Sequence, residues 1–309
     1  MNRRQLLRGS AVLSFIAVPF MTLTELIGHA SVKTHSAPDG EPAVPSMPLK
    51  PPAQGSIPVA FVISDGAVVI DFAGPWEVFD NVSATDGQPA FHTYTVAETP
   101  KSVRVSGGMK VIPNYTFANA PDPKVIVIPA QNGKDNAILE WIRSRSKKAD
   151  VTMSVCTGAM LLASTGLLSG KAATTHHAGY KELALEFPDI QVKRGARFVD
   201  NGNVATSGGL TSGIDLALHI VERYYGRDVA TQTAFQLEYQ GQGWMNPDSN
   251  QIYAAAPIST DQHPLCPVCE MEVDPTTSLK SVYKGKTYYF CQPQHKQQFE
   301  ADPGKFAGK

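Results

Sequence analysis

Three short, nearly uninterrupted runs of apolar or β-branched residues, at 59–63, 125–128 and 151–155, lie between stretches of helical periodicity. A strand with one wet face alternates apolar and polar side chains, so a strand that is apolar throughout has to be covered on both faces. Strands of that kind alternating with helices specify an α/β fold, a doubly wound and mostly parallel sheet between two helical layers. The spacing predicts a helix over 211–225, where Ile214, Leu218 and Val221 share a face and Gly226 is the stop, and another over 228–239. The chain can furnish the core this needs, because 42% of its 309 residues are hydrophobic and 18% are charged. With 27 basic and 28 acidic side chains it has no basic field to hold a phosphate backbone, so nucleic acid is not an expected partner.

The two ends differ from this middle. Arg3, Arg4 and Arg8 form a basic head, no acid precedes Glu25, and the apolar stretch at 10–24 is too short and too polar to span a bilayer. That is the make-up of a targeting peptide over 1–30, with the small residues Gly28 and Ala30 fitting a cleavage site. Residues 31–56 are proline-rich and lack apolar periodicity, as expected of an extended linker. A folded domain over 57–244 follows, then a second linker over 245–262 and a compact tail over 263–306.

In the large domain the segment VTMSVCTGAMLLASTGLLSG runs from an apolar strand into Cys156, after which Thr157 and Gly158 open a helix. A turn of this kind projects its side chain at the carboxyl edge of the sheet, where ligand sites of α/β folds lie. The helix N-terminus supplies partial positive charge and free N–H groups, which lower a thiol pKa. On spacing alone Cys156 is either a nucleophile or an inert buried thiol.

The motifs VVIDFAGPWEVF, VCTGAMLLASTGLLSGKAATTHH, GGLTSGIDLALHIVE and QLEY resemble the ThiJ/PfpI superfamily, and within it the isocyanide hydratase branch. The resemblance implies a flavodoxin-like sandwich related to class I glutamine amidotransferase domains. It also implies that Cys156 attacks a small electrophile, that Asp71 moves the proton, and that Thr157 steadies the turn or orients water. No cofactor is expected for that chemistry. Relatives in the superfamily often form homodimers, so a second copy is an expected partner beside the small-molecule substrate. Two departures bear on the pocket. Ala130 and Gln131 follow Pro129 where relatives carry Gly-Gly, and His177 follows His176 where the hydratase branch tends to carry tryptophan. The run from Asn2 to Arg8 resembles the twin-arginine export signal, which implies passage through that translocon to the periplasm.

The tail is too small for a self-sufficient core, and units of its size usually need a disulfide or a metal. It carries Cys266-x2-Cys269, then Cys291-x3-His295, a ligand spacing that suits a tetrahedral ion. On that spacing Cys291 and His295 are expected one turn apart on a helix. An internal disulfide framework would leave one of the three thiols over. CPVCEMEV and YKGKTYYFC resemble a YHS domain, which implies a small metal-stabilised α+β module. Zinc is the default ion; copper is the alternative, with the thioether of Met271 close to the knuckle. The expected activity is hydration of an isocyanide to an N-substituted formamide. The alternative is a non-enzymatic periplasmic protein that senses redox state or handles metal.

Overall fold

The computed structural model describes residues 47–83 and 87–307, so the targeting peptide expected over 1–30 and the start of the first linker lie outside the described residues. Seven strands build the central sheet: β1 (Ile57–Val62), β2 (Phe91–Ala97), β3 (Tyr115–Thr116), β4 (Val125–Ile128), β5 (Val151–Ser154), β6 (Phe198–Asp200) and β7 (Val204–Ser207). Their spatial order is β6-β7-β5-β4-β1-β2-β3. Neighbours run parallel except at the edge pair of β6 and β7, which is antiparallel.

The period of two along each strand divides the apolar runs between two cores. In β1, Ile57, Val59 and Phe61 enter one layer while Ala60 and Val62 enter the other; in β4, Val125 and Val127 separate from Ile126 and Ile128 in the same way. The helices of the large domain are α1 (Val69–Asp80), α2 (Asn136–Ser146), α3 (Gly158–Ser164), α4 (Tyr180–Glu186), α5 (Ser212–Tyr225) and α6 (Arg227–Gln236). Phe72, Phe79, Leu216 and Ile220 bring α1 and α5 onto the first layer, and Ile138, Trp141, Leu161 and Leu183 bring α2, α3 and α4 onto the second. Burying each such side chain contributes roughly 1.5–3 kcal/mol. Gly226 ends α5 with φ 86, a left-handed backbone that glycine adopts without steric cost.

Both stretches read as linkers carry fixed contacts. The Met47 carbonyl accepts from Arg223 Nε (3.0 Å), and the Leu49 N–H donates to the Arg223 carbonyl (2.7 Å). In the second stretch Asn250 is buried and accepts from Arg197 (3.1 Å), while the Ala254 carbonyl accepts from Arg194 Nε (3.1 Å). Arginines from the large domain thus satisfy backbone and amide groups that composition alone left free.

The tail has a hairpin, β8 (Leu279–Tyr283) and β9 (Lys286–Phe290), followed by α7 (Pro293–Ala301) and α8 (Pro303–Phe306). Lys284 and Gly285 close the hairpin with φ 50 and 77, the positive pair that a tight two-residue turn requires. Phe290, Phe299 and Phe306 form a small core with Val268, Val273 and the two knuckle cysteines. Tyr288 packs against Phe299 with ring centroids 4.7 Å apart and planes tilted by 39°, so this aromatic serves the module's packing.

Candidate active site and candidate metal centre

The chain leaves β5 and turns at Cys156, whose φ of 58 lies in the left-handed region, which costs a non-glycine residue on the order of 1–3 kcal/mol. Three contacts hold it there. The Cys156 N–H donates to the Gly208 carbonyl (3.0 Å), Thr175 Oγ1 donates to the Cys156 carbonyl (2.9 Å), and Gly158 presses on β4 so closely that a Cβ would sit 2.3 Å from the Ile128 oxygen. The residue after this elbow caps α3 without a side-chain hydrogen bond to the helix; the Thr157 hydroxyl bonds the Cys156 sulfur instead.

Asp71 lies in the first turn of α1 and is wholly buried, so it neither caps the helix nor faces solvent. Its Oδ2 accepts the Ala130 N–H at 3.1 Å. Oδ1 has no hydrogen-bond partner among the described residues, and the Cys156 thiol is near enough to act on the carboxyl's pKa. Burial pushes the Asp71 carboxyl up to about 6, against the lowering by Ala130 and Cys156. Burial, and after it the Asp71 charge, push the Cys156 thiol up to about 12, against the N–H groups of Thr157 and Leu210 and the Thr157 hydroxyl. Near neutrality the pair therefore holds one proton, on sulfur, with the negative charge on the carboxylate. The sequence led us to expect a thiol lowered by the helix N-terminus. The donors are present, but enclosure outweighs them.

Backbone N–H groups donate beside the pair with Ala130 and Gln131 in place of Gly-Gly after Pro129. Ala130 serves the acid, and Leu210, held at φ 50 after Gly208 and Gly209, serves the sulfur. Sequence reasoning missed Leu210; the only signal was the paired glycine before it. His176 Nδ1 accepts the Ala178 N–H (3.2 Å), and burial lowers its pKa, so it acts as a structural acceptor. His177 stacks on Tyr253 with centroids 4.7 Å apart and 10° between planes. Cys156 itself is buried, with 8% exposure. A cavity of about 740 Å³ opens elsewhere, beside Phe198, His219 and Trp244, where Asp200 already accepts from His219 (2.9 Å) and Arg223 (3.3 Å).

In the tail the ligating atoms of Cys266, Cys269, Cys291 and His295 all lie within 4.8 Å of one another. The separations are 3.5 Å between the sulfurs of Cys269 and Cys291, 3.6 Å from Cys266 Sγ to His295 Nδ1 and 3.2 Å from Cys291 Sγ to the same nitrogen. A tetrahedral zinc with its usual bond lengths needs edges of roughly 3.5–3.8 Å, so this donor set fits such an ion. Hydrogen bonds from Cys269 and His295 hold the Cys266 thiol well below its ordinary range, while Cys269 is pushed up by Cys266. The Gln292 side-chain amide nitrogen lies 2.6 Å from His295 Nε2 and holds the imidazole from its outer edge. Only His295 is on α7. Cys291 precedes the helix, because Pro293 at the first helical position starts it two residues later. Met271 is half exposed and follows the knuckle.

The DJ-1/PfpI family pattern matches residues 58–223, more than half of the chain. The chain belongs to the DJ-1/PfpI family. Residues 266–309 match the YHS domain. Isonitrile hydratase of Pseudomonas putida is 34% identical over 189 residues, covering 60% of this chain and 79% of that protein. The helix-turn-helix-type transcriptional regulator GbdR of Pseudomonas aeruginosa is 22% identical, covering 64% of this chain and 54% of its own length. Among solved structures, a ThiJ/PfpI family protein from Pseudomonas syringae superposes with TM-score 0.55 at 27% identity, covering 69% of this chain and 85% of that one. Thus the family's flavodoxin-like α/β fold carries a small C-terminal domain, and family membership alone spans both an enzyme and regulators.

Proposed function

We propose that this DJ-1/PfpI chain is a cysteine-dependent hydratase that adds water to an isocyanide, or a similar small electrophile, to give an N-substituted formamide. One observation carries the reading: Asp71, pushed up to about 6, faces a strained, almost enclosed Cys156 thiol, and together they hold a single movable proton. The 34% identity to isonitrile hydratase supports it. In the first step the Cys156 sulfur bonds to the terminal isocyanide carbon while its proton passes through the Asp71 carboxylate to that carbon, giving a thioimidate. Asp71 then takes a proton from water as the oxygen adds to the same carbon. Asp71 hands that proton to the nitrogen, the carbon–sulfur bond breaks as the added hydroxyl becomes the carbonyl, the hydroxyl proton returns to the sulfur, and the sum is isocyanide plus water to formamide. Thr157 and the Leu210 N–H stabilise negative charge on the sulfur when it forms and leaves.

Burial that pushes the thiol up to about 12 disfavours the resting thiolate on which both oxidation and attack depend, so the hydratase reading needs Asp71 to take the thiol proton as the sulfur attacks. The tail would hold zinc, or copper, through Cys266, Cys269, Cys291 and His295, and that ion would stabilise the module's fold. Export by the twin-arginine route to the periplasm and assembly as a homodimer complete the proposal. The test is conversion of a simple aryl isocyanide to its formamide, followed by product chromatography. Turnover by the wild-type protein and none by a folded Cys156→Ala variant is the expected result; absence of turnover in the wild type across an isocyanide panel defeats the reading.

A further inference from the structure

We propose that an ion held by Cys266, Cys269, Cys291 and His295 fixes the Gly208–Leu210 turn that borders Cys156, with Arg194 as the positioning residue that transmits the effect. This rests on Cys156 being the reacting group and concerns how that site is regulated.

The route starts beside a ligand. Glu270 follows Cys269 with φ 62, and its N–H donates to the Cys266 carbonyl (2.9 Å), so its side chain is placed by the folded knuckle. Glu270 Oε2 accepts from both terminal nitrogens of Arg194, each at 3.1 Å. Arg194 belongs to the large domain. Its Nε donates to the Ala254 carbonyl (3.1 Å), and its guanidinium lies 4.9 Å from the Tyr180 ring, whose hydroxyl accepts the Gly195 N–H (3.1 Å). Next to Ala254, the Tyr253 ring stacks on His177 at 4.7 Å, and His177 lies 4.1 Å from His176. The His176 ring rests directly on Gly209, where a Cβ would come within 2.3 Å of it. Gly209 stands between Gly208, whose carbonyl takes the Cys156 N–H at 3.0 Å, and Leu210.

A second set of contacts joins the module to α4 and to the segment that follows His177. Ala178 and Leu185, before and within α4, pack on the module's core, and Gln298 donates to Glu182 (3.3 Å). A module with so small a core depends on its ion for a fixed shape. Without the ion, crowded thiols no longer share a cation and the knuckle loosens, which removes the two-pronged anchor from Arg194. The effect travels through the fixed geometry of the Arg194–Glu270 pair, whose side chains are 26% and 19% exposed.

The experiment uses the full chain, loaded with zinc chloride or stripped with a chelator. Iodoacetamide modification of Cys156 is followed by mass spectrometry of its peptide, with zinc content measured in parallel. Stripping should speed modification of Cys156 by about 5-fold or more, the lower range of known site-to-site couplings. In zinc-loaded Arg194→Ala and Glu270→Gln that difference should collapse, while Arg194→Lys, which keeps one donor to Glu270, should retain part of it. Equal rates with and without zinc in the wild type, or an undiminished difference in both loaded variants, overturns the proposal. Glu270→Gln preserves volume and so keeps the test open if Arg194→Ala fails to fold. No isocyanide is used, so a zinc-dependent rate without formamide production defeats the hydratase reading and leaves the coupling standing.

Discussion

Cys156 and Cys266 are both enclosed, at 8% and 0% exposure, yet their surroundings drive the proton in opposite directions. At Cys156, burial and a neighbouring carboxylate outweigh two N–H groups and a hydroxyl, and the thiol keeps its proton. At Cys266, the Cys269 thiol and His295 donate to the sulfur and outweigh burial, so the charge settles there. Enclosure therefore does not decide what a cysteine does; the balance between donors and nearby negative charge does. The supporting structure differs in the same sense. A large two-layer core holds Cys156 in a strained turn, whereas the tail's core includes its own ligands.

The comparison breaks most sharply at Cys269. Cys269→Ser should cost more than about 100-fold in zinc affinity, because loss of outer-shell partners alone costs 10–100-fold. Hydrogen exchange across the tail should rise steeply, while amides of β4 and β5 keep their protection. If the tail stays protected, the module is held by its phenylalanines and the ion is incidental.

Asp71→Asn probes the opposite site and has two readouts. Turnover should fall by about 10²–10⁴-fold, the usual share of a positioned proton carrier. Stability should move the other way. The folded carboxyl titrates at about 6, above its unfolded value, so its contribution to stability is present in acid and is lost as pH rises through 6. At pH 8 the buried carboxylate costs up to roughly 3 kcal/mol, and asparagine removes that cost. Thermal melts should therefore show Asp71→Asn above wild type at pH 8 and level with it near pH 4. A gain that does not shrink in acid would assign the effect to packing. In the wild type, kcat/KM should fall below pH 6 as the pair takes a second proton.

Much of this was legible in the chain, for reasons that differ by element. The run at 125–128 became a strand buried on both faces because it is apolar throughout, and 151–154 lies beside it with Thr152 and Ser154 buried between its apolar residues. Ile214, Leu218 and Val221 fixed α5 by spacing. The ligand spacing of the tail brought four donors together, but the helix start at Pro293 separated Cys291 from His295 in a way spacing did not convey. The thiol's pKa was not legible, because it depends on how deeply two layers bury Cys156 and on the Asp71 charge, both tertiary quantities. Nor was Arg194, an ordinary surface-type residue until Glu270 and the Ala254 carbonyl are placed around it.

The smallest expected effect asks whether the donors at Cys156 matter against so large a burial. Thr157→Val keeps the β-branched shape and removes the hydroxyl bond to the sulfur. A net hydrogen bond is worth about 0.5–1.5 kcal/mol, so kcat/KM should fall about 2- to 13-fold, with stability changed by no more than a similar amount. Thr157→Ser restores the hydroxyl and should recover most of the rate. Should the valine variant turn over as fast as wild type, the Thr157 and Leu210 N–H groups would suffice to hold the developing charge. Cys156 would then differ from the tail's sulfurs in lacking any dependence on a side-chain donor.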